Sequence, residues 1–375
     1  MPFRIPDQLL RLRDQVLQRA AQLRSVRLPA LSRRVKLLAA LAGVVVLVAA
    51  LLLWPYQGYE GQRVLVIDQG MGRWAIAGLL TREGVLYSRW PFLFYAALRA
   101  NRTVKAGEYV FDQPLSAVGV FRKLARGEIR LYALTIPEGY TRWEIADQVA
   151  RLRLASREAF LEATNDTKLL ADLAPEAETL EGYLFPDTYY FARPAEPRAM
   201  VRTMVERFRQ VYLPLKEEAA NPQGLSPHEV VTLASLVEKE TGVAEERGLI
   251  ASVFYNRLER RIALQADPTV IYAARLEGEG EFDRVINVSD LERDHPYNTY
   301  KHPGLPPGPI ASPGKAALEA VLNPPETRYL YFVSNTEGGH FFARTGAEHT
   351  RNVARYRRLR AEKRRRARAA ESNPE

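Results

Sequence analysis

Glu238 and Glu240 are the residues of this chain best suited to acid–base chemistry. They stand at the end of a mostly apolar run, LASLVEKETG (233–242). If this run is helical, the apolar side chains between residues 230 and 237 cluster on one side, with Glu240 about 50° from their centre and Glu238 about 110° away. We therefore expect Glu240 to be the acid that is drawn out of water.

An acid in that position keeps its proton to a higher pH than a solvated one. Burial, the negative end of the helix dipole and the neighbouring carboxylates Glu238, Glu245 and Glu246 would all raise the pKa of Glu240. A carboxylic acid that stays protonated near neutral pH can act as a general acid. The alternative is an amphipathic helix that ends in solvated glutamates. The spacing alone favours this alternative, because most such acids are surface charges.

The helix that must position these acids has recognisable ends. Ser226 offers a hydroxyl N-cap, Pro227 occupies the first helical position and Glu229 follows three residues after the cap. Gly242 is predicted to end this helix. Helical patterns dominate residues 198–261, and loops and short strands follow, including a hairpin formed by residues 329–333 and 338–342.

Two segments after this helical region carry side chains that suit sugar binding. Residues 264–270 and 297–310 are rich in turn formers and in Tyr, Asn, Gln and Thr, and we interpret both as loops that line a site. Such side chains stack on pyranose rings while a protonated glutamate delivers its proton to a glycosidic oxygen. The chain has no GxxxxGK[ST] motif, no GxGxxG that opens a helix, no GxSxG and no HExxH. We therefore expect neither a metal nor a cofactor.

Positive charge is concentrated at the two ends of the chain. Residues 1–36 hold nine basic and two acidic residues, and residues 351–375 hold ten basic and three acidic ones, so the remainder is net negative. A nucleic-acid-binding protein more often carries its positive charge on the folded face, so we expect no nucleic-acid partner. The absence of cysteine excludes disulfides and thiolate metal sites.

Residues 37–54 form an uncharged apolar run. As a helix they extend ~27 Å against a hydrocarbon core of ~30 Å, and Trp54 and Tyr56 follow at the interfacial position. The basic segment before them predicts a cytoplasmic N-terminus, with the rest of the chain outside. The leader is much longer than the charged region of a signal peptide and no small-x-small site follows. We therefore expect an uncleaved anchor.

An internal repeat follows the apolar run. Residues 65–77 and 134–146 match at a constant offset of 69, with Leu, Ile, Gly, Arg, Trp, Ile and Ala shared in the same order. Each copy predicts a strand, a glycine turn and a helix, which indicates paired α+β modules. We expect the repeated tryptophans, Trp74 and Trp143, to lie in the core.

Five long motifs follow one another along the chain: EGYLFPDTYYF (181–191), LASLVEKETGVAEERGLIASVFYNRL (233–258), LQADPTVIY (264–272), YNTYKHPGLPPGPIASPG (297–314) and YLYFVSNTEGGHFF (329–342). With these motifs the chain resembles the endolytic peptidoglycan lytic transglycosylases, the MltG or YceG-like family, over about residues 60 to 350. The resemblance implies a single-pass bacterial membrane protein in which a LysM-like module precedes a catalytic domain. It further implies cleavage of nascent peptidoglycan between N-acetylmuramic acid and N-acetylglucosamine.

The resemblance also implies the roles of individual residues. The essential acid of the family is the second glutamate of an E-K-E triplet, which corresponds to Glu240, and the reaction closes a 1,6-anhydro ring without water. One acid can serve both steps, so Glu238 receives only a supporting role. Residue type and motif together select five candidates for contact with the glycan, each with a structural turn role as the alternative: Gln265, Asp267, Tyr297, Asn298 and Tyr300.

We predict an α+β protein with an N-terminal transmembrane helix, LysM-like α+β modules and a mixed helical and β catalytic domain. The expected partners are peptidoglycan glycan strands, the bacterial inner (cytoplasmic) membrane and, as candidates, peptidoglycan synthases.

Two other functions stay open: a non-catalytic peptidoglycan-binding scaffold, and a hydrolase with a second carboxylate about 5 to 9.5 Å from Glu240. The predicted segments are a basic cytoplasmic segment (1–36), the transmembrane helix (37–54), a first α+β module (57–130), a second, LysM-like module and connection (131–174), the catalytic domain (175–350) and a basic tail (351–375).

Overall fold

The chain folds into two compact units that divide between Ile129 and Arg130. The computed structural model describes residues 32–279 and 286–371, so most of the basic leader lies outside the described residues. Helices predominate, and the described ranges contain three two-stranded antiparallel sheets. This mixture of helices and small sheets confirms the predicted α+β class.

The first unit combines one long apolar helix with a small α+β module. Strands β1 and β2 pair antiparallel with Leu65 opposite Tyr109, and the three short helices share a core with them around Phe92, Phe111 and Phe121. Helix α1 is long and apolar enough to cross a membrane, and none of its residues is buried. The elements are α1 (Arg33–Leu53), β1 (Arg63–Ile67), α2 (Arg73–Arg82), α3 (Arg89–Leu98), β2 (Gly107–Phe111) and α4 (Ala117–Arg126).

The second unit is built around one central helix, α8, which packs against α9, α10 and α12. Strand β3 pairs with β4, and β5 pairs with β6 as the predicted hairpin. Two 3₁₀ turns lie at Thr167–Leu170 and Ala244–Glu246. The elements are β3 (Tyr132–Thr135), α5 (Arg142–Arg151), α6 (Arg157–Ala163), β4 (Thr188–Phe191), α7 (Pro197–Glu217), α8 (Pro227–Glu240), α9 (Arg247–Glu259), α10 (Asp267–Leu276), α11 (Val288–Glu292), α12 (Lys315–Leu322), β5 (Tyr331–Ser334), β6 (His340–Ala343) and α13 (Gly346–Glu371).

Helix α8 begins as the sequence predicts. The Ser226 hydroxyl accepts a hydrogen bond from the backbone N–H of Glu229, and the Glu229 carboxylate accepts one from the N–H of Ser226. Its burial differs from the prediction of a one-sided apolar face, because every residue from Val230 to Val237 is buried. A helix surrounded by other helices is expected to be apolar around most of its circumference.

Both copies of the repeat form the predicted strand, turn and helix. Helices α2 and α5 occupy equivalent positions in the two copies. The expectation of a buried tryptophan is wrong for Trp74, which is 61% exposed, whereas Trp143 is partly buried against the core. Ile76 is buried, and a residue two positions away on a helix points about 200° away from it, so Trp74 faces outward. The LysM-like assignment stays a prediction.

The segment 131–174 shares its hydrophobic core with the rest of the second unit. Leu134, Ile145 and Phe160 belong to the same buried cluster as Met204 and Leu236. The reason lies in strand pairing, because β3 pairs with β4, beyond the predicted boundary of this module. The structure therefore keeps this segment together with the predicted catalytic domain in one compact unit.

One further segment differs from the sequence expectation. The predicted loop at 264–270 is wrong in its second half, because Asp267 begins helix α10 and Pro268 fits the first helical turn. The basic tail continues helix α13 as far as Glu371.

Candidate active site

Glu240 is the last residue of α8 and is half-buried. Burial is the main cause that raises the pKa of Glu240 to about 8. The negative charge of Asp267 acts in the same direction, and the positive charge of Arg257 opposes both. Within the described ranges, no hydrogen bond or ion pair occupies this carboxyl group. Glu240 is thus mostly protonated at neutral pH and free to donate its proton, which confirms the predicted direction of the pKa shift.

Two segments that are distant in sequence hold Asp267 beside Glu240. The backbone N–H of Gln265 donates to the Thr299 carbonyl at 3.1 Å, and the N–H of Ala266 donates to the Thr299 hydroxyl at 3.0 Å. The Tyr300 hydroxyl donates to the Asp267 carboxylate. These contacts bring three of the five predicted glycan-binding residues, Gln265, Asp267 and Tyr300, to the same side of the unit, where Gln265 and Asp267 are exposed.

Arg257 is a member of this site that the sequence analysis missed. Its side chain is buried on α9, where Nε donates to the Leu330 carbonyl at 2.7 Å and Nη1 to the Leu264 carbonyl at 2.8 Å. The guanidinium group is therefore held rigidly, and its charge lowers the pKa of Glu240. The sequence signal that could have identified Arg257 is an arginine within a largely apolar helical run. A charge buried there must be held by hydrogen-bond acceptors such as these carbonyl groups.

Glu238 is buried as well, with only 6% of its side chain exposed. Its Oε2 accepts a hydrogen bond from the Gly314 N–H at 3.0 Å, and its Oε1 lies 3.6 Å from Arg247 Nη2. Burial raises the pKa of Glu238, while the Gly314 N–H and Arg247 oppose the rise. The helical projection placed Glu238 further from the core than Glu240 and left a hydrogen bond or a solvated position open for it; the structure shows the hydrogen bond, because the start of α12, which a projection cannot include, covers Glu238. Glu238 thus joins the end of α8 to the start of α12.

The turn between β3 and α5 also reaches the end of α8. The Gly139 N–H donates to the Ser312 carbonyl at 2.9 Å, and the Ser312 N–H donates to the Tyr140 carbonyl at 2.8 Å. Lys239 Nζ donates to the Gly139 carbonyl at 3.3 Å. Gly139 adopts a positive φ of 74°, a conformation that favours glycine. The second copy of the repeat therefore contacts Lys239 and lies beside Glu238.

The other two predicted glycan-binding residues do not present their side chains beside Glu240. Asn298 is fully buried; its Nδ2 donates to the Arg293 carbonyl at 2.7 Å and its Oδ1 accepts from the Tyr300 N–H at 3.0 Å, so its amide is used to hold the loop. Tyr297 packs on Tyr272 with ring centroids 5.0 Å apart, and its hydroxyl lies beside Gly308 and His228. His228 is at the start of α8 and Glu240 is at its end, and this helix of 14 residues spans about 20 Å. The structure does not bring Tyr297 to Glu240.

The carboxylates expected to raise the pKa of Glu240 are also differently placed. Glu246 accepts hydrogen bonds from the His340 N–H at 2.8 Å and pairs with His340 Nδ1 at 2.7 Å, so its charge is engaged by the β5–β6 hairpin. Glu245 is exposed. The carboxylate that acts on Glu240 is Asp267, which comes from a different helix.

Comparison with known proteins identifies the family. Residues 65–355 match the model of the YceG-like family. The chain belongs to the YceG-like family. This confirms the resemblance recognised from the motifs, and the matched range includes the whole site around Glu240.

Two curated relatives of this YceG-like chain are named endolytic murein transglycosylase. That of Bacillus subtilis (strain 168) is 34% identical over 306 residues, which cover 77% of this chain and 83% of the relative. That of Streptococcus pneumoniae (strain ATCC BAA-255 / R6) is 33% identical over 322 residues, which cover 77% of this chain and 57% of the relative. A 2.6 Å crystal structure of a yceG-like protein from Listeria monocytogenes is 33% identical, covers 78% of this chain and 99% of that chain, and has a TM-score of 0.52.

Proposed function

We propose that this protein is a membrane-anchored endolytic murein transglycosylase in which Glu240 is the catalytic acid and base. The observation that carries the proposal is a glutamic acid at the end of a buried helix, with a pKa raised to about 8 and a carboxyl group without a protein partner in the described ranges. The activity of the named relatives supplies the substrate, the glycan strands of peptidoglycan.

Glu240 serves both halves of the reaction. Its proton moves to the glycosidic oxygen between N-acetylmuramic acid and N-acetylglucosamine, the bond from that oxygen to C1 of the muramic acid breaks, and positive charge develops at C1. The C6 hydroxyl of the same sugar then forms the new bond to C1, and its proton returns to the Glu240 carboxylate. The products are a chain with a 1,6-anhydro end and a chain with a free 4-hydroxyl, and no water is consumed.

The neighbouring charges tune this proton transfer in opposite directions. Asp267 raises the pKa of Glu240 and so keeps the acid protonated before the reaction, whereas Arg257 stabilises the carboxylate that remains after the proton has left. We propose that the sugars on either side of the scissile bond are contacted by Gln265, Asp267 and Tyr300. Tyr297 is assigned to a more distant sugar, and Asn298 holds the loop that presents Tyr300.

Helix α1 is the proposed anchor in the inner (cytoplasmic) membrane. It is long and apolar enough to cross a bilayer, and the basic residues that precede it favour a cytoplasmic N-terminus with the catalytic unit outside. On that side the enzyme would cut nascent strands and terminate their elongation, with peptidoglycan synthases as partners.

The products of the reaction test the proposed function. Residues 57–375 are incubated with uncrosslinked glycan strands, and the products are analysed by mass spectrometry. We expect shortened strands with 1,6-anhydro-muramic acid ends. Reducing muramic acid ends would instead indicate a hydrolase, for which Asp267 would be the second carboxylate, and strand binding without shortening would indicate a scaffold.

A pair of glutamine variants tests the residue assignment. Glu240→Gln removes the proton donor, so we expect no shortening. Glu245→Gln is the matched control, because Glu245 is an exposed glutamate five residues further along the chain and should retain full activity. Activity of Glu240→Gln equal to that of this control would refute the assignment.

A further inference from the structure

Helix α3 of the first unit buries one side and exposes an apolar stripe on the other. Phe92 and Ala96 are buried in the core, whereas Trp90, Phe94 and Leu98 are 61%, 51% and 64% exposed. Residues four positions apart share one face of a helix. These three side chains therefore form a continuous outward stripe that the fold of the unit does not use.

Two further aromatic side chains extend this stripe. The Trp74 ring of α2 meets the Trp90 ring edge to face at 5.7 Å, and Tyr87, just before α3, is 79% exposed. We call Trp74, Tyr87, Trp90, Phe94 and Leu98 the α3 aromatic face. Single exposed apolar residues are ordinary, but a contiguous apolar face of this kind marks a binding surface.

The α3 aromatic face is continuous with the proposed membrane anchor. One apolar cleft of about 880 Å³ lies between α1 and α3. It is lined by Leu47 and Leu51 of α1, by Trp54 directly after α1, and by Trp90 and Phe94 of α3. The last turns of α1 therefore lie beside α3. When α1 spans a bilayer, its last turns stand at the boundary of the hydrocarbon core, and the α3 aromatic face lies at the same depth.

The charges around this face suit a lipid surface. Residues 73–102 hold five arginines and one glutamate. The Arg89 guanidinium lies 5.5 Å from the centre of the Trp90 ring, and Arg99 and Arg102 at the other end of α3 are exposed. Tryptophan and tyrosine collect at the level of lipid headgroups, where arginine can reach the phosphates.

We propose that the α3 aromatic face inserts into the headgroup region of the bilayer that α1 spans, with Arg89, Arg99 and Arg102 at the level of the lipid phosphates. The proposal rests on the anchor part of the proposed function. It makes the first unit a module that lies on the membrane, so that α1 is one of two attachments and the unit cannot swing freely about the end of α1.

Tryptophan fluorescence of the full chain in vesicles tests this proposal. The chain has four tryptophans, so three can be replaced by phenylalanine to leave Trp90 or Trp54 alone. Each protein is reconstituted in vesicles of phosphatidylcholine and phosphatidylglycerol that contain lipids brominated near the headgroup end of the acyl chain. Val66→Trp in a background without other tryptophans is the matched control, because Val66 is on the exposed face of β1, opposite the core that α3 covers.

We expect Trp90 to be quenched to within about twofold of Trp54, because both lie at the interfacial depth, and the Val66→Trp probe to stay unquenched. With Trp90 retained, Phe94→Ser combined with Leu98→Ser should reduce the quenching without affecting the buried side of α3. Quenching of Trp54 without Trp90 would overturn the proposal and leave the anchor intact. If neither Trp54 nor Trp90 is quenched, both the membrane anchor and the insertion of the α3 aromatic face would be overturned. A blue-shifted Trp90 without bromine quenching would indicate a protein partner or a second copy and would also overturn it.

Discussion

Replacing Glu240 by glutamine should abolish transglycosylation and stabilise the second unit at alkaline pH. Glutamine keeps the shape and polarity of the protonated acid but carries neither a transferable proton nor a charge. Because a general acid contributes about 10²–10⁴-fold to such a reaction, we expect turnover to fall at least about a hundredfold. The gain in stability comes from the same burial that raises the pKa of Glu240.

The size of the gain follows from the raised pKa. The rise from 4.5 to about 8 corresponds to about 5 kcal/mol at roughly 1.36 kcal/mol per pH unit. The folded state keeps the proton to a higher pH than the unfolded state, so stability is lost as the pH rises from about 4.5 to about 8. Glu240 is partly exposed as a residue, so we expect about half of this figure. Glu240→Gln should therefore gain about 2–3 kcal/mol at about pH 8.5 and under about 1 kcal/mol at about pH 5.

Urea unfolding of residues 57–375, followed by far-ultraviolet circular dichroism at both pH values, measures this difference, and Glu245→Gln is the control. A stability difference between wild type and Glu240→Gln that does not depend on pH would refute the reasoning, because it would mean that Glu240 ionises as easily in the folded state as in the unfolded one. Turnover at the wild-type rate would refute the catalytic role separately.

Variants at three further positions test the surroundings of Glu240. Arg257→Met removes the charge that lowers the pKa of Glu240, so the alkaline limb of the pH–rate profile should move up by about half to one unit, whereas Arg257→Lys keeps the charge and should leave it in place. Asp267→Asn removes the charge that raises the pKa of Glu240, so the same limb should move down by a similar amount; a limb that stays fixed would exclude Asp267 as a neighbour. Glu238→Gln keeps an acceptor for the Gly314 N–H and removes a charge that burial disfavours, since the pKa of Glu238 is raised despite Arg247. Thermal unfolding at neutral pH should therefore show a loss of no more than about 1 kcal/mol, and turnover should stay within about tenfold of wild type. A loss of turnover as complete as that of Glu240→Gln would contradict the supporting role of Glu238.

Much of the fold near the site follows from local sequence. The capping residues at the start of α8, the β5–β6 hairpin and the strand, turn and helix of both repeats are found where the sequence predicts them. Each depends on contacts between residues a few positions apart, which a single sequence displays. Helix α10 was missed for a related reason, because Asp267 and Pro268 suit a turn and a first helical turn equally well.

By itself the sequence selected Glu240 as the candidate acid, because apolar periodicity places it nearer to the core than Glu238 and because the E-K-E motif of the family falls on it. The spacing alone left a solvated glutamate as the favoured alternative. Only the tertiary structure decided which charges act on it. Asp267 and Arg257 come from helices α10 and α9, and the start of α12 buries Glu238. It also placed Asn298 inside its loop and Tyr297 at the far end of α8. Helical periodicity reports the direction of a side chain relative to its own helix, whereas an electrostatic neighbour is set by the packing of segments that are far apart in the chain.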